Sequence, residues 1–116
     1  MGLSGARGRA GEALAAAYLE LVGFQVRARN ARVGGVEVDV MASEGDTQVL
    51  VEIKYRSRGD YGGGEGAIDA SKRQRLLRAA SVLETQGHAA VRIDVVVVER
   101  SGEGATVRHY RGAVTA

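Results

Sequence analysis

Apolar residues near the start of the chain recur with helical spacing. Leu14, Tyr18, Leu21 and Val22 follow the 3.6-residue period and Ala15 and Leu19 widen the stripe, which predicts a helix from about Gly5 to Val22. Gly23 stands where a left-handed closing residue belongs. The period then drops to two. Phe24 to Arg29 alternates Phe, Val and Ala with Gln, Arg and Arg, as a half-buried strand does. Val36 to Ala42 and Gln48 to Tyr55 read as two further strands, and the turn Glu44-Gly45-Asp46 between them predicts an antiparallel hairpin.

Arg56 to Gly66 contains five glycines and several charges, and reads as a mobile loop. Asp69 is placed to cap a second helix from Ala70 to about Gln86, with Leu76, Leu77, Ala80 and Leu83 inward and Gly87 closing it. Val91 to Val98 is apolar on both faces except for Arg92 and Asp94, the mark of a strand inside a sheet. Ser101 to Gly104 forms a turn, and Thr106 to Arg111 a final edge strand. The order α-β-β-β-α-β-β predicts one α/β domain over residues 1–116, a central mixed β-sheet flanked by helices.

Composition narrows the chemistry. The 116 residues include no Cys, which excludes disulfides, thiolate zinc sites and cysteine nucleophiles. The two His, His88 and His109, cannot build a multi-histidine cage, and both read as ordinary surface or turn residues. Any metal would be hard and held by carboxylates, as magnesium or manganese is. No apolar run approaches the roughly 18 residues of a membrane span, and no signal-peptide hydrophobic region opens the chain, so a cytoplasmic protein without a membrane partner is expected. The net charge of +2 is small, but it is unevenly distributed: +3 over residues 1–35, −3 over 36–60 and +2 over 61–116. A carboxylate-rich centre lies between basic flanks.

That centre is the hairpin. Strand alternation puts Glu37 and Asp39 on one face and Val36, Val38 and Val40 on the other. On the next strand Glu52 and Lys54 share a face with Leu50, opposite Val49, Val51 and Ile53. The two arms are nearly equal in length, so Asp39 and Glu52 are expected to be cross-strand neighbours. Two carboxylates this close repel unless a cation joins them. A divalent ion would relieve the repulsion and leave positions open for water and phosphate oxygens, with the Lys54 ammonium beside them. The same spacing also suits a cross-strand ion pair on a solvated face, Lys54 neutralising Glu52 or Asp39.

The order of motifs separates these readings. Asp39 followed by Glu52-Ile53-Lys54 resembles the D…ExK signature of the PD-(D/E)xK nucleases. Gly11-Glu12, Arg29-Asn30, Glu37-Val38-Asp39 and the run Val51-Glu52-Ile53-Lys54-Tyr55-Arg56 look like the small bacterial YraN-like family of predicted endonucleases, itself similar to archaeal Holliday-junction resolvases. The resemblance runs from about Arg9 to Val97. It departs at one point, where Val36 separates Gly35 from Glu37 although the family places Gly directly before that Glu. The resemblance implies a restriction-endonuclease-like core, a Mg2+ or Mn2+ cofactor, and Glu12, Asp39, Glu52 and Lys54 as the site. Taken alone, Glu12 reads first as an acid complementing the dipole of the first helix, and the resemblance is what points it to the site.

Arg29, Arg56, Arg58, Lys72 and Arg73 are the candidate nucleic-acid contacts, whereas Arg75 and Arg78 fall on the outer face of the second helix. The run Gly62-Gly63-Gly64-Glu65-Gly66 lacks the Gly-Lys-Ser/Thr ending of a phosphate-binding loop, but residues 57–66 could close over DNA. The reading that results is a metal-dependent endonuclease acting on DNA, branched or otherwise structured. Its alternative is a non-catalytic nucleic-acid-binding module with the same fold. A homodimer would match the two equivalent strands of a branched junction.

Overall fold

In the computed structural model, which describes residues 2–57, 68–88 and 90–116, two helices lie against one five-stranded sheet. The elements are α1 (Gly2–Leu21), β1 (Gln25–Val33), β2 (Val36–Glu44), β3 (Thr47–Ser57), α2 (Ala70–Thr85), β4 (Val91–Ser101) and β5 (Gly104–Tyr110). The strands lie side by side in chain order. β3 and β4 are parallel and every other neighbouring pair is antiparallel. The expected α/β order and mixed sheet are both present. A parallel pair needs a long crossover, and α2 supplies it between β3 and β4.

Both helices stop in the same way. The N–H of Gly23 donates to Glu20 and that of Phe24 to Leu19, while Gly87 donates to Glu84 and His88 to Leu83. Each glycine holds a positive φ, +103° and +98°, and so turns the chain out of the helix. At the other end of α2 the Asp69 carboxylate accepts from the Lys72 N–H at 2.8 Å, the cap expected there.

The sheet has an apolar layer on each face. α1 brings Ala15 and Leu19 onto Phe24, Val40, Ala42, Val49, Val51, Val96 and Val98. α2 brings Leu76, Ala79 and Leu83 onto Val33, Val36, Val38, Leu50 and Ile93. Burying each such Leu or Val contributes about 1.5–3 kcal/mol, which is why both faces of β3 and β4 are apolar. β4 lies inside the sheet and β5 forms an edge, as the sequence pattern predicts.

β1 and β2 depart from the expected picture. β1 continues past Arg29 to Val33, with a register shift between Val26 and Ala28. Val38 and Val40 do not share a layer, because Val40 packs on the α1 side and Val38 on the α2 side. The cause is local. β2 pairs with β3 only as far as Val40↔Val51, while its pairing with β1 continues to Val33↔Val36. Beyond Val40 the β1–β2 ribbon is therefore free to twist, and Asn30, opposite Asp39, adopts φ +52° at the twist.

Candidate metal and phosphate site

The two-residue turn Gly45-Asp46 holds the β2–β3 hairpin in register from Glu44↔Thr47 to Val40↔Val51. Where that ladder stops, a side chain continues it. Asp39 Oδ2 accepts a hydrogen bond from the Ile53 N–H at 2.8 Å. This fixes the Asp39 carboxylate next to Glu52, one step beyond the last strand pair.

Glu52 is only 4% exposed. Its Oε2 lies 3.3 Å from Lys72 Nζ in the first turn of α2, and its Oε1 is buried without a hydrogen-bond partner. Burial lifts the Glu52 carboxyl from the ordinary carboxylate range to about 7, the Asp39 charge adds to the rise, and Lys72 opposes it. Lys72, and not Lys54, is thus the cation that pairs with Glu52. Lys54 is half-buried two residues further along β3, on the Glu52 face by strand alternation, and makes no ion pair among the described residues.

Glu12 approaches from α1. Gly11 allows the helix to lie against β3, since a Cβ there would come within 2.5 Å of the Tyr55 ring. The Glu12 carboxylate accepts from Asn30 Nδ2 at 3.0 Å, and Asn30 lies opposite Asp39. Glu37 is exposed near Arg32 and Lys72. Among the predicted nucleic-acid contacts, Arg29 is exposed on edge strand β1, Arg56 pairs with Glu99 at 3.5 Å, and Arg73 donates to the Thr115 carbonyl at 2.9 Å. Among the described members of that set, Lys72 is the one placed at the carboxylates. Arg58 and the glycine run lie outside the described residues.

The donor set fits a hard divalent cation. It is made of the carboxylate oxygens of neighbouring Asp39 and Glu52, and one of them, Glu52 Oε1, is buried without a donor. Among the described residues no group of three or more acidic or histidine side chains converges, and Glu12 is tied to Asn30. Magnesium is commonly held by one or two carboxylates, with water and phosphate oxygens completing its shell, so the pair is sufficient for such an ion.

A second polar cluster lies on the same sheet face as α1, and the sequence reading missed it. Asp94 is fully buried. It accepts from Arg92 at 2.7 and 3.0 Å and from the Gly112 N–H at 3.0 Å, and lies 2.8 Å from His109 Nε2. Desolvation alone would raise the Asp94 carboxyl, but Arg92, the Gly112 N–H and His109 together hold it below the usual range. His109 Nδ1 is 2.9 Å from the Tyr18 hydroxyl, while Glu44 binds both Arg92 and Arg111. His109 is accordingly no surface residue. It joins β5 to α1 and to the Asp94 strand. The available signal was Asp94 itself, an acid in a strand otherwise made of apolar residues.

A family model described as "Uncharacterised protein family UPF0102" matches residues 11–98. A UPF0102 protein of Parafrankia sp. (strain EAN1pec) is 42% identical over 110 residues, covering 91% of this chain and 93% of that protein. One of Halorhodospira halophila is 42% identical over 93 residues, covering 80% and 77%. One of Mycolicibacterium vanbaalenii is 46% identical over 94 residues, covering 78% of each. Among solved structures, Pyrococcus furiosus SfsA in complex with Ca2+ aligns with a TM-score of 0.46 and 16% identity; the alignment covers 93% of this chain and 63% of that one.

Proposed function

The chain belongs to UPF0102, the YraN-like family of predicted endonucleases, and from that premise we propose that it is a divalent-metal-dependent endonuclease acting on DNA, branched or otherwise structured. One observation carries the reading. Asp39 and Glu52 are held side by side at the end of the β2–β3 ladder, with a buried Glu52 oxygen left over. Charge this close is costly in a fold, and Lys72 offsets only part of it, since the Glu52 carboxyl stays raised to about 7.

Asp39 and Glu52 would hold magnesium or manganese. The chemistry such an ion supplies is activation of water and neutralisation of charge developing on phosphorus. Lys54 contributes a fixed ammonium on the same face, where it can orient the attacking water or offset the charge on the leaving oxygen. Lys72 keeps Glu52 turned toward the site through their 3.3 Å contact. Glu12 extends the acidic edge from α1 and, through Asn30, is tied to the twist at which Asp39 sits. No helix among the described residues is long and apolar enough to cross a membrane.

A non-catalytic DNA-binding module with this fold is the second reading, favoured by the lack of a third converging carboxylate among the described residues. Labelled duplex, flap and four-way-junction DNA, each incubated with manganese and with chelator, separates the two. Product that appears only with manganese supports the nuclease. Tight binding with chelator and no product with metal supports the module. Absence of any salt-dependent DNA binding contradicts both.

A further inference from the structure

Beside the carboxylate pair, between the β1–β2 turn and the start of α2, lies a cleft of about 230 Å³. Its charged lining is Arg32 and Glu37 from the ribbon and Lys72 and Arg75 from the helix. The sequence pattern assigned Arg75 to an outer, solvated face. Arg75 is exposed there, and the β1–β2 turn comes up beside it.

The walls are built tightly. Gly34 and Gly35 turn the ribbon with φ +57° and +80°, and a Cβ on Gly34 would come within 2.7 Å of Val82 Cγ2 on α2. Arg32 is folded back over this turn, its Nη1 donating to the Gly35 carbonyl at 3.0 Å. It stands opposite Glu37 in the strand register. Lys72 and Arg75, three residues apart, project from one side of α2. Lys72 also contacts Glu52, so one side chain joins the cleft to the carboxylate pair.

The balance of charge shows what the cleft can take. Three cations and one carboxylate share it, and neither Arg32 nor Arg75 forms an ion pair among the described residues. Two guanidinium groups left unneutralised around a small polar cleft are suited to phosphate, whose oxygens match their forked donors. A strand engaged at Asp39 and Glu52 would carry its next phosphate past Lys72 toward that position.

We propose that the Arg32–Arg75 cleft binds the DNA backbone phosphate adjacent to the one held at Asp39 and Glu52. This rests on the reading of the chain as a protein that acts on DNA. Arg32 and Arg75 are the phosphate contacts. Glu37 repels the phosphate as a like charge and weakens the grip of the cleft. The contact carries no sequence information, in keeping with a protein that recognises backbone geometry.

The test is fluorescence anisotropy of labelled duplex and four-way-junction DNA in chelator, across a salt series, for the full chain and its variants. Each phosphate contact contributes about 0.9 to the slope of log affinity against log salt. Arg75→Ala should therefore lower the slope by about one and weaken binding several-fold, and Arg32→Ala/Arg75→Ala should lower it by about two. Glu37→Gln should tighten binding. Arg78→Ala, exposed on the same helix and outside the cleft, should match the wild type. Arg75→Ala disrupts no internal hydrogen bond of the described residues and remains decisive if the double variant is poorly folded. Wild-type affinity and slope in Arg75→Ala would overturn the cleft and leave the nuclease reading intact. A wild-type chain with no salt-dependent DNA binding would overturn both.

Discussion

Asn30 donates its side-chain amide to Glu12 at 3.0 Å from a backbone φ of +52°, directly opposite Asp39 in the β1–β2 register. One residue therefore shapes the ribbon at Asp39 and restrains an acid arriving from a different element. Asn tolerates this left-handed conformation better than most residues do, at a cost of about 1–2 kcal/mol for an ordinary side chain.

This arrangement ranks Glu12 above Glu37 for the site. Glu12→Gln should abolish cleavage while the melting temperature stays near that of the wild type. Asn30→Gly should keep the twist but release Glu12, giving a folded protein with reduced cleavage. Glu37→Gln should retain most activity. A folded but inactive Glu37→Gln beside an active Glu12→Gln would reverse the ranking.

Glu52 gives the fold a pH dependence of known sign. Its carboxyl titrates at about 7 when folded, against an ordinary 4.5. A raised carboxyl binds its proton more tightly in the folded state, so this contribution is full below the ordinary value and is lost as pH rises through about 7. In chelator, the wild type should lose up to about 3 kcal/mol from this group across that window, and Glu52→Gln should lose much less. Divalent ions act in the opposite sense, because they need the ionised carboxylate. Manganese affinity should rise over the same pH window. Parallel pH–stability curves for wild type and Glu52→Gln in chelator would refute the assignment.

Lys54→Ala separates chemistry from docking. Affinity should come from many backbone contacts, so binding should change only modestly. Loss of a fixed charge at the reacting phosphate should reduce cleavage about 100-fold or more. If single-turnover rates and DNA affinity fall by equal factors, Lys54 is a docking residue.

The Asp94 cluster acts on the fold, away from the proposed chemistry. Asp94→Ala leaves Arg92 and the buried His109 without their shared acceptor, and should destabilise by about 3–5 kcal/mol in urea unfolding. Asp94→Asn should cost less. An Asp94→Ala protein with wild-type stability would show that Arg92 and His109 find other partners.

The hairpin was legible in the sequence because a two-residue turn and strand alternation together determine register. That is why the sequence alone places Asp39 and Glu52 side by side. Capping was equally local, so Asp69, Gly23 and Gly87 could be read directly. What escaped was long-range. The partners Tyr18 and His109 are 91 residues apart, and Arg111 and Glu44 are 67 apart. No periodicity connects them. The separation of Val38 from Val40 escaped for another reason: alternation assumes a ladder on both sides, and β2 loses one of its two at Asp39. Helical phase placed Arg75 in solvent, where it is, but no local pattern could show that Arg32 lines the same exposed cleft.

The central claim is that Asp39 and Glu52 hold one divalent cation between them, and calorimetric titration of manganese into wild type and Asp39→Asn tests it most directly. The Asn side-chain oxygen can still accept the Ile53 N–H, so the substitution removes a charge and leaves the local bond in place. The wild type should bind manganese, and Asp39→Asn should bind it at least about tenfold more weakly, a loss of roughly 1.4 kcal/mol or more, with a melting temperature in chelator equal to or above that of the wild type. Unchanged manganese affinity in a folded Asp39→Asn protein would contradict the account.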